Sequence, residues 1–277
     1  MENYHKIKDY LSYSALKNYL RSPKYFKYAQ EHPDEETEAM NFGSAFHLFI
    51  LEPAEFEKQY YCVTDIRPEP EKNLTIKVNK DWNDNHKKNA ILQNKTFLNA
   101  DDYNCIVDMA REMSGNPVIN QLLTGGVAEK GILIEDFDGL KVKCKPDYYT
   151  DNYIIDLKTT GTNGSTLQGF QKQAAIYNYQ MQAAFYKDIL FSIDQKEREF
   201  YFIVVEKEKP HLTNIFKASE NFIAYGRYGY GELLKIHKYC IENGWGKGNE
   251  IFYANKNDDF ELLDIPSYAM KELKLIY

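Results

Sequence analysis

Pro146-Asp147-Tyr148-Tyr149-Thr150-Asp151-Asn152-Tyr153-Ile154-Ile155-Asp156-Leu157-Lys158-Thr159-Thr160 is the stretch on which the reading of this chain turns. Its two arms flank Asp151-Asn152, a dipeptide suited to the two-residue turn of a β-hairpin. With that turn Thr150 pairs with Tyr153, and Asp147 falls directly opposite Asp156. Side chains alternate faces along a strand, so Asp156 and Lys158 share a face about 7 Å apart while Leu157 points into the opposite layer. The two carboxylates then sit about 5 Å apart. Like charges that close are costly unless a cation or a proton neutralises them, and hard oxygen ligands at this spacing suit Mg²⁺ or Mn²⁺. A lysine two residues on is placed to orient or deprotonate a metal-bound water, or to neutralise charge developing on a phosphate. A surface hairpin of alternating charges fits the same residues, because D-x-K alone is a weak pattern.

Upstream of this hairpin, residues 127–135 and 140–149 carry strand patterns separated by Asp136-Phe137-Asp138-Gly139, predicting a three-stranded meander that ends with 153–159. Downstream, Gly161, Gly164 and Gly169 precede a helical segment over about 171–190. Residues 199–206 then form a near-continuous apolar run suited to a strand buried on both faces. Strands, a crossover helix and a central strand predict an α/β fold with a mixed central β-sheet flanked by helices. Ahead of it lies an N-terminal helical layer. Residues 12–31 open with Ser12 and Ser14 as possible caps and break at Ser22-Pro23, 32–38 form a solvated loop, and 43–51 read as a buried helix stopped near Pro53. Residues 64–80, with Pro68 and Pro70, are expected to be a mobile loop. From Ser219 to about Asn243 the pattern is helical and then less regular. The expectation is one domain over 1–277, with a helical layer over 1–60, a core over 125–210 and a C-terminal helical region over 216–277.

Composition bounds the function. The 277 residues carry a formal net charge of −7, which disfavours non-specific coating of nucleic acid or acidic membrane by the whole surface. An anionic substrate must be held by a local basic patch or by metal ions. No apolar run approaches a membrane span, and the opening MENYHKIKDY lacks a signal-peptide core, so a cytoplasmic protein is expected. Cys62, Cys105, Cys144 and Cys240 are widely spaced with no C-x-x-C pair, predicting reduced thiols and no zinc or iron-sulfur site. No P-loop pattern occurs, so no ATP is expected. Tyrosine is abundant at 23 residues. In stretches such as Pro23-Lys24-Tyr25-Phe26-Lys27-Tyr28 these rings and lysines read first as amphipathic packing and second as a surface for bases and phosphates.

Pro146-Asp147 with Asp156-Leu157-Lys158 resembles the PD-(D/E)xK nuclease signature, whose core is restriction-endonuclease-like. Ile155-Asp156-Leu157-Lys158-Thr159-Thr160 is similar to the form found in the RecB and RecE (exonuclease VIII type) group of phage and prophage exodeoxyribonucleases. Gly43-Ser44-Ala45-Phe46-His47 followed by Leu51-Glu52-Pro53 resembles the histidine-bearing helix of RecE-type enzymes, Gln182-Ala183-Ala184-Phe185-Tyr186 their Q-x-x-x-Y helix, and 202–207 the strand that follows. These pieces run in order from about residue 11 to 210. The resemblance implies a centre in which His47, Asp147 and Asp156 bind the metal, Asp147, Asp156, Lys158 and a further glutamate act in catalysis, and Gln182 and Tyr186 hold substrate.

For that glutamate the chain offers Glu129 or Glu135. A three-residue turn at Phe137-Asp138-Gly139 pairs Asp136 with Leu140 and sets Glu129 opposite Asp147, whereas Glu135 lies about 20 Å along the same face. Glu129 is therefore the choice, although a two-residue Asp138-Gly139 turn would face Lys130 to Asp147 instead. Gln182, Tyr186 and Tyr179 share a helix face, which equally suits an aromatic stripe resting on the core. Lys141, Lys143 and Lys145 alternate onto one strand face, either as a basic wall along a DNA channel or as a solvated face. The resemblance further implies Mg²⁺-dependent (or Mn²⁺-dependent) 5′→3′ digestion of linear double-stranded DNA. It would leave 3′ single-stranded overhangs for recombination, with a RecT-type annealing protein as partner and a homo-oligomer as a plausible assembly. The rival readings are a structure-specific or single-strand endonuclease of the same superfamily and a non-catalytic DNA-end-binding module.

Overall fold

In the computed structural model, residue 4 and residues 7–33, 37–73 and 75–245 are described. Leu11–Ser12 (β1) leads into Tyr13–Leu16 (α1), a 3₁₀ turn and Pro23–Glu31 (α2), where Ser12 and Ser22 each cap by accepting a backbone N–H three residues on. Glu38–Leu51 (α3) is capped by Thr37, and Pro53–Gln59 (α4) starts on the proline, which lacks only an N–H that a first helical turn leaves free. Tyr60–Cys62 (β2), Lys77–Leu92 (α5) and Thr96–Leu98 (β3) form a small parallel unit. Ala100–Ser114 (α6) and Pro117–Leu122 (α7) follow.

The strands of the centre are Val127–Ala128 (β4), Ile132–Phe137 (β5), Leu140–Cys144 (β6), Tyr148–Tyr149 (β7) and Tyr153–Thr160 (β8). Leu167–Tyr177 (α8) and Tyr179–Asp194 (α9) cross to Glu199–Glu206 (β9), and Thr213–Lys217 (β10) and Glu220–Asn243 (α10) close the described chain. The main sheet runs β10-β9-β8-β7-β4, with β8 and β9 parallel and the other pairs antiparallel. Its residues alternate into two apolar layers. Ile154, Phe200 and Phe202 pack with Phe170 and Phe185 on the α8–α9 side, while Ile155, Leu157 and Ile203 pack with Phe46, Ile106 and Met109 on the α3–α6 side. Burial of each such side chain is worth about 1.5–3 kcal/mol, so both faces are covered and the fold is α/β with a mixed, helix-flanked sheet.

Several expectations need correction. The meander is split between two sheets, because both arms leave the ladder at the same level. Glu129 takes a left-handed φ of 48° ahead of Lys130-Gly131, and on the other arm Pro146, level with Lys130, has no N–H to give. The β4–β7 ribbon stays with β8, while β5 and β6 swing out to a three-stranded sheet with β1 parallel to β6. The helix over 171–190 is two helices, broken at Asn178, which is left-handed at φ 57°. The 64–80 segment already contains the start of α5, and its loop is tied down by buried Asn79, whose side chain bonds Glu69, Lys72 and Asn73. The 1–60 layer includes β1 and the start of β2, β10 extends into the region expected to be helical from 216, and residues 246–277 lie outside the described residues. Among the described residues no helix is long and apolar enough to cross a membrane.

Candidate metal centre

The β7–β8 hairpin folds as its sequence dictates. Thr150 N donates to Tyr153 O at 2.8 Å, and Tyr148 and Tyr149 pair with Ile155 and Ile154. One step further along this register Asp147 faces Asp156. Upstream, Ala128 pairs with Tyr148 and Glu129 N donates to Asp147 O at 2.9 Å, so Glu129 is the glutamate brought to the site. Glu135 is far out on β5, bound to Tyr10 and Lys141. The turn behind this result differs from the expected one. Phe137 pairs with Leu140 around a two-residue Asp138-Gly139 turn, both residues at positive φ, and an irregularity between Ile134 and Phe137 absorbs the extra residue and restores the register.

His47, on α3, reaches this ribbon from the opposite layer. Its Nε2 lies 3.0 Å from Leu157 O, a carbonyl that can only accept, so Nε2 carries the proton of that bond. Nδ1 then faces Asp147 Oδ1 at 3.5 Å and Glu129 Oε1 at 3.7 Å. Leu157 N donates to Asp147 Oδ2 at 2.7 Å, so the peptide groups of one strand residue fix both the histidine and the aspartate. One ligand atom each from His47, Glu129 and Asp147 lies within 4.8 Å of the others. Ligands 2.0–2.1 Å from a small divalent ion stand about 3–4.2 Å apart, so this set fits one. Burial disfavours an imidazolium, yet the Asp147 and Glu129 carboxylates outweigh it and push His47 up to about 10. The imidazolium in turn overcomes burial at Asp147 and holds that carboxyl below its usual range. A positive charge between these acids is what the geometry calls for.

Asp156 was expected as a metal ligand with His47 and Asp147. It stands outside the three-residue cluster, because its oxygens are taken up elsewhere. Gln182 Nε2 donates to Oδ1 at 2.9 Å, and Oδ2 lies 2.5 Å from Lys158 Nζ in an ion pair too oblique to be a hydrogen bond. At 1% exposure, burial is the main force pushing Asp156 up to about 6; Lys158 opposes the rise and Asp147 adds to it. Lys158 loses hydration too, but Asp156 and Asp147 outweigh that and raise it, so it is an ammonium. It also sits 4.6 Å above the Tyr179 ring, with Gln182 Oε1 3.5 Å away. Gln182 thus braces the Asp156–Lys158 pair, and burial keeps the Tyr186 hydroxyl protonated.

The cluster opens into a cleft of about 980 Å³ that Tyr186, Glu52 and Lys145 also line, whereas Asp156, Lys158 and Gln182 do not reach its wall. From the sequence Glu52 has no role, and Lys145 belongs with Lys141 and Lys143 to a basic wall or a solvated face. Lys145 Nζ lies 2.5 Å from Glu129 Oε2 and neutralises the second oxygen of that ligand. Burial and the nearby Glu129 push the Glu52 carboxyl up, and its only signal was its place in Leu51-Glu52-Pro53. The three alternating lysines do not form a single wall: Lys141 pairs with Glu135, Lys143 bonds the carbonyls of Tyr4 and Ile7, and Lys145 serves the cluster.

Comparison with known proteins bears on the family and the fold. Residues 12–245 match the family described as a PDDEXK-like domain of unknown function (DUF3799). No protein of curated function matches the sequence. Among solved structures, that of a "Putative exonuclease" from Eubacterium rectale superposes with a TM-score of 0.57 at 14% identity, covering 97% of this chain and 94% of that one, which is a likeness of fold.

Proposed function

This chain belongs to the PDDEXK-like domain family, and from that membership together with its His47–Glu129–Asp147 cluster we propose that it is a divalent-metal-dependent deoxyribonuclease. The observation that carries the proposal is the juxtaposition of three cation ligands with a buried Asp156–Lys158 pair on the same ribbon. His47, Glu129 and Asp147 would hold the cation, with Mg²⁺ or Mn²⁺ the fitting ions for two carboxylates and one imidazole. When bound, such an ion polarises a phosphoryl oxygen and lowers the pKa of a coordinated water.

The chain's own groups do the rest. Leu157 orients two of the ligands through its backbone, and Lys145 pairs with Glu129 beside Asp147. Lys158, already an ammonium, is a donor and not a base; a scissile phosphate competes with Asp156 for it, and the lysine then offsets charge developing on the phosphate and orients the attacking water. Asp156, released from that pair, would be a buried carboxylate able to accept a proton. Gln182 limits how far the pair can open, and Tyr186 presents a hydroxyl donor to the cleft wall.

Ordered resemblance to RecE-type sequences, and a fold neighbour described as a "Putative exonuclease", support the finer reading. It is 5′→3′ digestion of linear duplex ends, leaving 3′ overhangs for an annealing partner, by one catalytic unit that spans the helical layer and the sheet. The test is a cleavage assay on end-labelled linear duplex, closed circular duplex and single strands, each with Mg²⁺, Mn²⁺ or EDTA. Metal-dependent shortening of linear duplex from its 5′ ends is expected. Failure to cut any substrate removes the enzyme reading, and cutting of closed circles removes the exonuclease reading.

A further inference from the structure

A second cleft, of about 720 Å³, lies beside the first, and Ser12, Ser14 and Lys143 border both, so the two meet across β1. Its charge is the reverse of the molecule's. Lys8, Lys27, Lys141 and Lys143 line it against Asp9 and Glu31, on a chain whose formal charge is −7. Lys141 is held by Glu135 and Lys27 lies 3.7 Å from Glu31, while Lys8 is exposed with no acidic partner among the described residues. Cations and rings stand together along this path. Lys27 Nζ is 5.4 Å from the Trp245 ring, Lys141 Nζ 5.4 Å from the Tyr10 ring, and at the junction Lys143 Nζ is 4.6 Å from the Tyr4 ring. Trp245 lies nearly parallel to Phe26, with His237 edge-on to both.

We propose that this second cleft binds a single DNA strand continuous with the end held at the metal centre. Lysines would meet its phosphates and the Trp245 and Tyr10 rings its bases, the chemistry by which single strands are gripped without regard to sequence. A duplex buries its base faces in its own stack, so rings in the groove favour the unpaired strand. The path starts where the metal-centre cleft, of mixed charge, ends, so a strand leaving the candidate ligands passes into a groove in which lysines outnumber acids. The 23–28 stretch then serves both of its readings at once, with Phe26 packing and Lys27 facing the groove.

The inference rests on the deoxyribonuclease reading, and its test separates the two. In EDTA, with Trp82→Phe leaving Trp245 as the remaining tryptophan, fluorescein-labelled oligothymidylate is titrated while anisotropy and Trp245 emission are followed. Binding is expected to quench Trp245. Lys8→Gln combined with Lys27→Gln is expected to weaken binding about tenfold and to reduce the log-log salt slope by about 1.4, while affinity for a blunt hairpin duplex stays constant. Mn²⁺ affinity, measured in parallel without EDTA, should not move. Unquenched Trp245, wild-type affinity in the double variant, or equal loss for the duplex overturns the proposal. If the strand binds as expected and no substrate is cut, the groove stands and the nuclease reading falls; if cleavage occurs and the lysine variant binds normally, the reverse holds.

Discussion

Lys158 is held by Asp156, Gln182 and the Tyr179 ring, and of these only the ring packs on the apolar core. Lys158→Ala should therefore lower cleavage by about 10²–10³-fold while the thermal midpoint changes little, because Asp156, already raised to about 6, can take up a proton when its partner is lost. A near-normal rate would place the chemistry elsewhere. His47 makes a pH prediction. Its folded pKa of about 10 exceeds the ordinary 6.5, so in EDTA its contribution to stability is complete below pH 6.5 and is lost as pH climbs through 10. The stability difference between the native protein and His47→Gln should shrink by an amount on the order of a few kcal/mol across that window, read from denaturant melts at each pH. A difference that stays level from pH 6.5 to 10 would contradict the carboxylate-driven charge on this ring. Asp147, Asp156 and Lys158 were legible in the sequence because turn length and strand alternation fix their relation. Their partners were not: periodicity cannot say that Asp156 turns to Gln182 and Lys158, leaving Glu129 to complete the cluster.

At the scale of elements, the hairpin over 147–158 was readable to the residue, while the β5–β6 hairpin was not. Asp136-Phe137-Asp138-Gly139 is compatible with either a two- or a three-residue turn, and only tertiary packing decides. The expected facing of Glu129 and Asp147 is nonetheless the one found, because an irregularity in β5 compensates for the shorter turn. Gly139, at φ 77° with open space around it, is a clean probe. Gly139→Ala should cost about 1 kcal/mol in denaturant melts and leave the cleavage rate unchanged. Gly226 is the contrary case. A methyl there would come within 1.9 Å of Gln180 O, so α10 lies directly against the backbone of α9. Gly226→Ala should cost about 1–3 kcal/mol and also lower cleavage, since α9 carries the Gln182 brace. Lost stability with unaltered cleavage would show that the brace does not depend on this contact.

For the whole molecule, the charge balance limited the reading to local cation sites, and the structure sets a cleft of mixed charge at the ligand cluster beside one in which lysines outnumber acids. The α/β class was visible in the order of strands and crossover, whereas the split into two sheets was not, because it depends on one left-handed glutamate and on a proline one step further along the facing arm. Binding of a cation to the folded state alone should raise the melting temperature with the logarithm of its excess over Kd, a stabilisation of about 2.7 kcal/mol at a hundredfold excess. A donor set with one imidazole should make this rise larger for Mn²⁺ than for Mg²⁺ at equal concentration, and His47→Gln should erase the preference. Equal shifts for both ions in the native protein would argue that the histidine is not a ligand.

Leu157 has no functional side chain, yet its amide and carbonyl tie Asp147 and His47 to one point of the sheet. The helix bearing the histidine and the turn bearing the aspartate are thus both gauged from a common mark on the main chain, and replacing the leucine by another apolar residue leaves that mark in place. Lengthening the connections on either side should be tolerated, but inserting or deleting a single residue between positions 153 and 157 would displace the mark itself and separate the two ligands in one step.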